Sequence, residues 1–240
     1  MSSYKHFALV YDALQQDVPY DDYAAWVLAN APSTTHPVLV DVACGTGTML
    51  ERFQALGYTS AGVDLSEEML MVASERLTNV PLICQSMTEL EGFEAVDVVT
   101  ILLDSLNYLT TQQEVEATFA RVYAMLAPGG HLFFDVHSLS KMAIFLQSPF
   151  TYDDGAITYI WHTEQGETPN SIVHDMTFFV ADGEQYTRFD ETHYQQTYDW
   201  QQYVTWLKAA GFTQIQVTAD FTDAPPQTQS ERIFIHAQKQ

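Results

Sequence analysis

The chain has 240 residues, with 9 Lys and Arg against 31 Asp and Glu, for a formal charge of −22. Such a length supports one full hydrophobic core. The charge argues against large nucleic-acid partners and anionic membranes, which need clustered Lys and Arg, and no segment reaches the ~18 consecutive apolar residues of a membrane span.

The opening segment MSSYKHFALVYDAL lacks the basic start and continuous apolar stretch of a secretion signal, which suits a cytoplasmic protein. Its Tyr4, Phe7 and Tyr11 are spaced like a helix stripe. After residue 35, apolar runs alternate with helical periodicity, the pattern of β-α-β units and a parallel sheet. The first strand is expected at 38–43 and leads into the turn Gly45-Thr46-Gly47. A helix follows with Met49, Leu50, Phe53 and Leu56 on one face, ending at Gly57. The second strand, 59–64, ends in Asp64. Ser66 is placed to cap the next helix, Glu67 and Glu68 fill its first turn, and Leu65 and Leu70 hold the positions of a hydrophobic staple. Strands three and four are expected at about 80–84 and 95–102. Cys44 and Cys84 read as small buried hydrophobes in a reducing compartment.

Thr111 and Glu114 have capping-box spacing before a helix carrying Val115, Phe119, Val122 and Leu126. Pro128-Gly129-Gly130 ends that helix and leads into a fifth strand, HLFFDVHS. Residues 150–197 then alternate with a period of two, through Ile157, Tyr159 and Trp161, and again through Ile172, His174, Met176 and Phe178. Asp182-Gly183 is a hairpin signal, so a three-stranded antiparallel insertion is expected. Asp199 and Gln202 resemble a second capping box, before a helix with Trp200, Tyr203, Val204 and Leu207 that stops at Gly211. GFTQIQVTAD and ERIFIHAQK are the last two strands, joined by a loop at 222–230.

A glycine turn on one strand and an acid at the end of its neighbour describe a nucleoside site: the bare backbone admits the ligand, and Asp64 accepts hydrogen bonds from ribose hydroxyls. Leu50 stands where a dinucleotide fingerprint needs its third glycine, which disfavours a nucleotide-dependent oxidoreductase. No Lys-Ser or Lys-Thr follows the loop, so a ligand without phosphates suits it better. DVACGTG followed by GVDLSEEML resembles the class I S-adenosylmethionine-dependent methyltransferases. YDALQQDVPYDDY, DSLNYL, the Pro-Gly-Gly step, FFDVHS, RFDETHYQQTY and RIFIHAQK extend the resemblance along nearly the whole chain, to small bacterial methyltransferases with an antiparallel insertion after strand five.

The resemblance implies an α/β fold with a Rossmann-like seven-stranded sheet, mostly parallel, its last strand antiparallel. It assigns 1–149 and 198–240 to a catalytic domain and 150–197 to an insertion covering substrate. S-adenosyl-L-methionine is the implied cofactor, and an oxygen or nitrogen of a small-molecule acceptor receives the methyl group. Gly45 and Gly47 would offer backbone N–H groups to the methionine end, and Asp41 would read its amino group. Ser86 occupies the place of an Asp expected to bind the adenine amino group, with the Met87 N–H as a further contact. Ala43, Cys44, Leu65, Leu103 and Tyr11 complete the cofactor set; the Tyr4, Phe7 and Tyr11 stripe is either core or a lid whose rings meet the sulfonium.

For the chemistry, Asp104 either orients or deprotonates a nucleophile or merely starts a turn, and Asn107 and Tyr108 are candidates to position it. His137 is either a general base or a hydrogen-bonded structural histidine. Glu191, His193 and Gln195 share one strand face and are candidates to line a substrate pocket. No set of His, Cys and Asp has metal-ligand spacing. Rival readings are an RNA or protein methyltransferase, the former disfavoured by the charge, and a non-catalytic cofactor-binding module.

Overall fold

In the computed structural model, residues 17–240 are described, so the aromatic stripe through Tyr11 lies outside the described residues. Helix α1 (Tyr20–Asn30) precedes β1 (Val38–Val42), α2 (Thr48–Ala55), β2 (Thr59–Asp64), α3 (Glu67–Arg76) and β3 (Leu82–Cys84). Then come β4 (Val96–Ile101), α4 (Gln112–Met125), β5 (Leu126–His137) and α5 (Leu139–Phe145). Strands β6 (Phe150–Asp153), β7 (Ile157–Gln165), β8 (Ser171–Asp182) and β9 (Gln185–Gln196) form a separate sheet, and α6 (Trp200–Ala210), β10 (Phe212–Ala219) and β11 (Arg232–Lys239) close the chain.

The larger sheet has seven strands in the order β10-β11-β5-β4-β1-β2-β3. Strands β1 to β5 pair in parallel, while β11 runs antiparallel to both β5 and β10. The implied fold class is therefore present. Strand order reverses at β1, between β2 and β4, and ligands of open α/β sheets bind at that crevice, outside the carboxyl ends of the strands. Helices α4 and α6 cover one face through Phe119, Val122, Tyr203 and Leu207; α1 and α2 cover the other through Tyr23, Val27, Met49 and Phe53. Phe53 is fully buried, which contributes about 2 kcal/mol on transfer bookkeeping.

Local signals explain most boundaries. Ser66 Oγ accepts from Met69 N–H at 3.2 Å and starts α3. Thr111 and Glu114 form the full capping box of α4. Asp199 caps α6 through Gln201 N–H, without the reciprocal side-chain bond expected from Gln202. Leu65 is 72% exposed, so no staple forms; Leu70 instead packs with Leu50 and Leu77. The Pro-Gly-Gly step lies inside β5, which begins at Leu126 and shifts register against β4 between Val96 and Val98. Cys84 is exposed, against expectation, while Cys44 is buried.

The insertion has four strands, in the order β6-β7-β8-β9. The extra strand, β6, is four residues long and follows Pro149, too short for its alternation to show. Asp182 pairs with Gln185 across the expected hairpin, with Gly183 at φ +65°. Ile157, Phe178 and Phe189 pack this sheet on Met69 of α3, and Ile172 packs it on Met142 and Phe145 of α5. Among the described residues, no helix is long and apolar enough to cross a membrane.

Candidate active site

The loop after β1 turns through left-handed backbone at Ala43, Gly45 and Gly47, with φ of 60°, 55° and 81°. A Cβ at Gly45 would meet nothing within 4 Å, so that side of the loop is open. A Cβ at Gly47 would lie 2.7 Å from Leu77 Cδ1, and Gly47 N–H donates to Cys44 O at 3.0 Å. Gly47 therefore serves the packing of α2 on α3, and its N–H, like that of Gly45, which donates to Asp64 at 2.7 Å, has a partner within the protein rather than being held open for a ligand as expected. Gly62 is a packing glycine that the motif reading passed over: a Cβ there would fall 2.6 Å from Leu50 Cδ1.

Asp64 is held by two backbone donors, Gly45 N–H at 2.7 Å and Ser66 N–H at 2.8 Å. It stitches the loop to the end of β2. A carboxylate offers about four acceptor positions, so capacity for ribose hydroxyls remains. Burial pushes its pKa up, against the lowering effect of the amides. Beside it opens a cavity of about 550 Å³. Gly45, Asp64 and Leu65 line it together with Ser86 and Met87 and with Tyr108 and His193. A cavity of this size suits a cofactor with part of an acceptor. Ser86 Oγ accepts from Thr88 N–H at 3.3 Å and caps the short 3₁₀ turn Met87–Glu89, so its first role is local.

A smaller cavity of about 30 Å³ shares Ala43, Gly45 and Ser105 as walls and reaches Asp41 and Leu103. Asp41 is buried, and Thr100 Oγ1–H donates to it at 2.6 Å. Burial raises its pKa to about 7. Cys44 also borders this cavity.

The loop after β4 carries two consecutive left-handed residues, Leu103 at φ 60° and Asp104 at φ 52°. Their N–H groups donate to Asp135 of β5, at 2.7 and 3.1 Å. The Arg232 guanidinium donates twice to Asp104 Oδ1, at 3.0 Å each, and also to Asp135. Tyr23 O–H donates to Asp135 at 3.1 Å. His137 Nε2 lies 3.3 Å from Asp104 Oδ2, which also accepts from Gln195 Nε2 at 3.1 Å. Burial works to raise the Asp104 pKa, but His137 and Arg232 prevail and hold it well below the usual carboxylate range. Asp104 thus presents a fixed negative charge rather than a titrating base.

Asn107 is fully buried and spends both ends of its amide on backbone: Nδ2 donates to Gln196 O at 2.8 Å, and Oδ1 accepts from His137 N–H at 2.9 Å. It ties β5 to β9 and is not free to position a nucleophile. Tyr108 and His193 meet across the cavity wall, with Tyr108 Oη 3.1 Å from His193 Nδ1. Burial pushes the His193 pKa down. Glu191 is buried on the same strand face as His193. The expected residues thus fall into two groups: Tyr108 and His193 line the large cavity, while Asp104 and His137 pair with each other and do not line it.

Sequence reasoning missed Asp135, Arg232 and Tyr23. Asp135 lies 112 positions from Tyr23 and 97 from Arg232 in sequence, and the one available signal is an ionisable residue inside an apolar strand run. It also missed a buried chain behind Asp104. Trp161 Nε1–H donates to His174 Nδ1 at 2.8 Å. The His174 proton must then sit on Nε2, 3.3 Å from Gln195 Oε1, which turns the Gln195 NH₂ toward Asp104.

A sheet of this order, with a glycine turn after β1 and an acid after β2, is the architecture of class I methyltransferases. A family model described as a methyltransferase domain matches residues 39–130. YqeM, a methyltransferase-family protein of Bacillus subtilis (strain 168), is 45% identical over 98% of this chain and 97% of its own. The dTDP-3-amino-3,4,6-trideoxy-alpha-D-glucopyranose N,N-dimethyltransferase of Streptomyces venezuelae is 29% identical over 79% of this chain and 80% of its own. The crystal structure of an S-adenosylmethionine-dependent methyltransferase from Clostridium acetobutylicum ATCC 824 superposes with a TM-score of 0.88, at 27% identity and over 99% of both chains. The chain belongs to the class I S-adenosylmethionine-dependent methyltransferases, and S-adenosylmethionine is its cofactor. The residues present fit that group: Gly45 leaves open space, and Asp64 keeps acceptor capacity beside it.

Proposed function

We propose that the protein methylates an oxygen or nitrogen of a small-molecule acceptor, held against Tyr108 and His193 under the inner face of the insertion sheet. The observation that carries this is the 3.1 Å contact between Tyr108 and His193 on the wall of the cavity that Asp64 also lines. It joins the loop after β4 to the insertion, so one cavity has cofactor-side and cover-side walls. The relatedness to an enzyme named for an amino-sugar substrate supports a small acceptor.

Bound S-adenosylmethionine supplies an activated methyl group. Gly45 and Asp64 would hold its ribose side, and Asp41 and Leu103 would border the methionine end. The chemistry the cofactor would supply is methyl transfer to an acceptor lone pair, with the carbon–sulfur electron pair left on sulfur. The acceptor proton passes to the Tyr108–His193 pair, whose hydroxyl and ring nitrogen lie 3.1 Å apart on the cavity wall. Asp104 and Arg232 hold the loop bearing Ser105 and Tyr108 in place, and the insertion excludes water.

The test combines calorimetry with transfer of labelled methyl across an acceptor panel. Asp64→Ala is expected to weaken S-adenosylmethionine binding by more than about tenfold. Tyr108→Phe and His193→Gln are expected to keep cofactor affinity and lose turnover. Unchanged turnover in the Tyr108→Phe, His193→Gln double variant would remove the pair from the reading.

A further inference from the structure

We infer, resting on the reading just given, that the acceptor is neutral or cationic and carries no phosphate. Three carboxylates, Asp64, Glu68 and Glu114, line the large cavity, and no Lys or Arg of the described residues does. Eight of the nine Lys and Arg lie within the described residues. Arg232, the cation beside the loop after β4, is already shared between Asp104 and Asp135. Arg52 pairs with Asp21, Arg188 with Asp190, and Lys141 with Glu231. Lys239 donates to the carbonyls of Tyr123 and Leu126, and Arg76 to Thr48. Arg121 and Lys208 are exposed on α4 and α6, the helices that cover one face of the sheet.

Phosphate recognition relies on Arg forks, Lys or clustered backbone donors. Here a diphosphate would instead meet carboxylates, and like charges at close range repel. The same acid wall favours the sulfonium and an amine or hydroxyl acceptor. The dTDP portion in the name of the Streptomyces venezuelae relative's substrate therefore has no matching cation in this cavity. Within the family, acceptor choice is set here by charge exclusion as well as by shape.

The experiment titrates dTDP, and separately glucosamine 6-phosphate, into protein loaded with S-adenosylhomocysteine. Neither is expected to bind with a dissociation constant below about 1 mM. Glu68→Lys is expected to tighten dTDP binding by about tenfold, and to weaken S-adenosylmethionine relative to neutral S-adenosylhomocysteine. Submillimolar binding of dTDP to the wild-type protein overturns the inference, as does a folded Glu68→Lys variant that moves neither affinity. Should that variant not fold, the wild-type titration decides alone. Failure of S-adenosylhomocysteine to bind overturns the proposed site instead, and the anion titration still reads out on the unloaded protein.

Discussion

Leu103 donates its backbone N–H to the carboxylate of Asp135 at 2.7 Å, from a left-handed conformation that a leucine rarely adopts. The fifth strand thereby sets the shape of the loop after the fourth. Such strain, with the same conformation at Asp104, persists only where the surroundings over-determine it, and Asp135 does so by accepting both N–H groups. Asp135→Ala removes a fully buried carboxylate that accepts four hydrogen bonds, and leaves Arg232 with Asp104 as its remaining carboxylate partner. A loss of about 3 kcal/mol is expected, near the low end for a broken buried pair because the Arg232 side chain is a quarter exposed. Urea unfolding measures it; a loss under about 1 kcal/mol would show that the loop holds its shape without this clamp.

Two glycines should separate stability from binding. Gly62 has ordinary backbone, but a methyl group there would press on Leu50, Cys44 and Leu82 at under 3 Å. Gly62→Ala is expected to cost about 1–3 kcal/mol while a stabilised fraction keeps its cofactor affinity. At Gly45 the methyl would enter open space beside the cavity, and the strain of positive φ costs about 1 kcal/mol. Gly45→Ala should lose cofactor affinity first. Thermal melting and calorimetry on the two variants check the opposition, and equal loss of affinity in both would contradict it.

Stability should carry the protonation of buried histidines. Burial lowers His174 from its ordinary 6.5 to about 4. Between those values the unfolded chain binds the extra proton, so this group's contribution falls as pH drops from 6.5 toward 4. His131 and His236, also lowered to about 4 by burial, act in the same direction. Asp41, raised to about 7 by burial, acts in the opposite direction over the same range. The informative quantity is therefore a difference. The stability of wild type minus that of His174→Gln should fall by about 1.4 kcal/mol per pH unit on acidification through this window. A flat difference would place a charged His174 in the folded state.

Asp41 should make cofactor binding depend on pH. Its carboxyl is half ionised near pH 7, and the ionised form attracts the cationic ammonium and sulfonium of S-adenosylmethionine. Affinity should rise severalfold from pH 6 to pH 8 and become flat in Asp41→Asn. Calorimetry across that range tests it, and a wild-type profile as flat as the variant's would rule Asp41 out as the cause.

Much of the sheet was legible because its signals are local. Gly45, Asp64, Ser66 and the Thr111–Glu114 box each announce themselves within a few residues, and alternation exposed β7 to β9. The reading failed where local and tertiary demands diverge. Leu65 has the spacing of a staple but faces the cavity, and Cys84 ends a strand yet reaches the surface. Asn107 sits in a motif that suggests chemistry, but its amide is consumed by two strands brought together only by folding. Asp135 and Arg232 are charged residues in otherwise apolar strand runs. Their meaning arises from the β5–β11 pairing, which spans about a hundred positions of chain.

The hydrogen bond from Gln195 to Asp104 makes the insertion sheet and the loop after β4 a single mechanical part. Exchanging the insertion for one from a sister enzyme, to redirect acceptor choice, would therefore also swap a support of the loop beneath. A chimera designed on surface shape alone would lose that amide, whereas one retaining Gln195 with His174 behind it would carry the scaffold's rigidity across the junction.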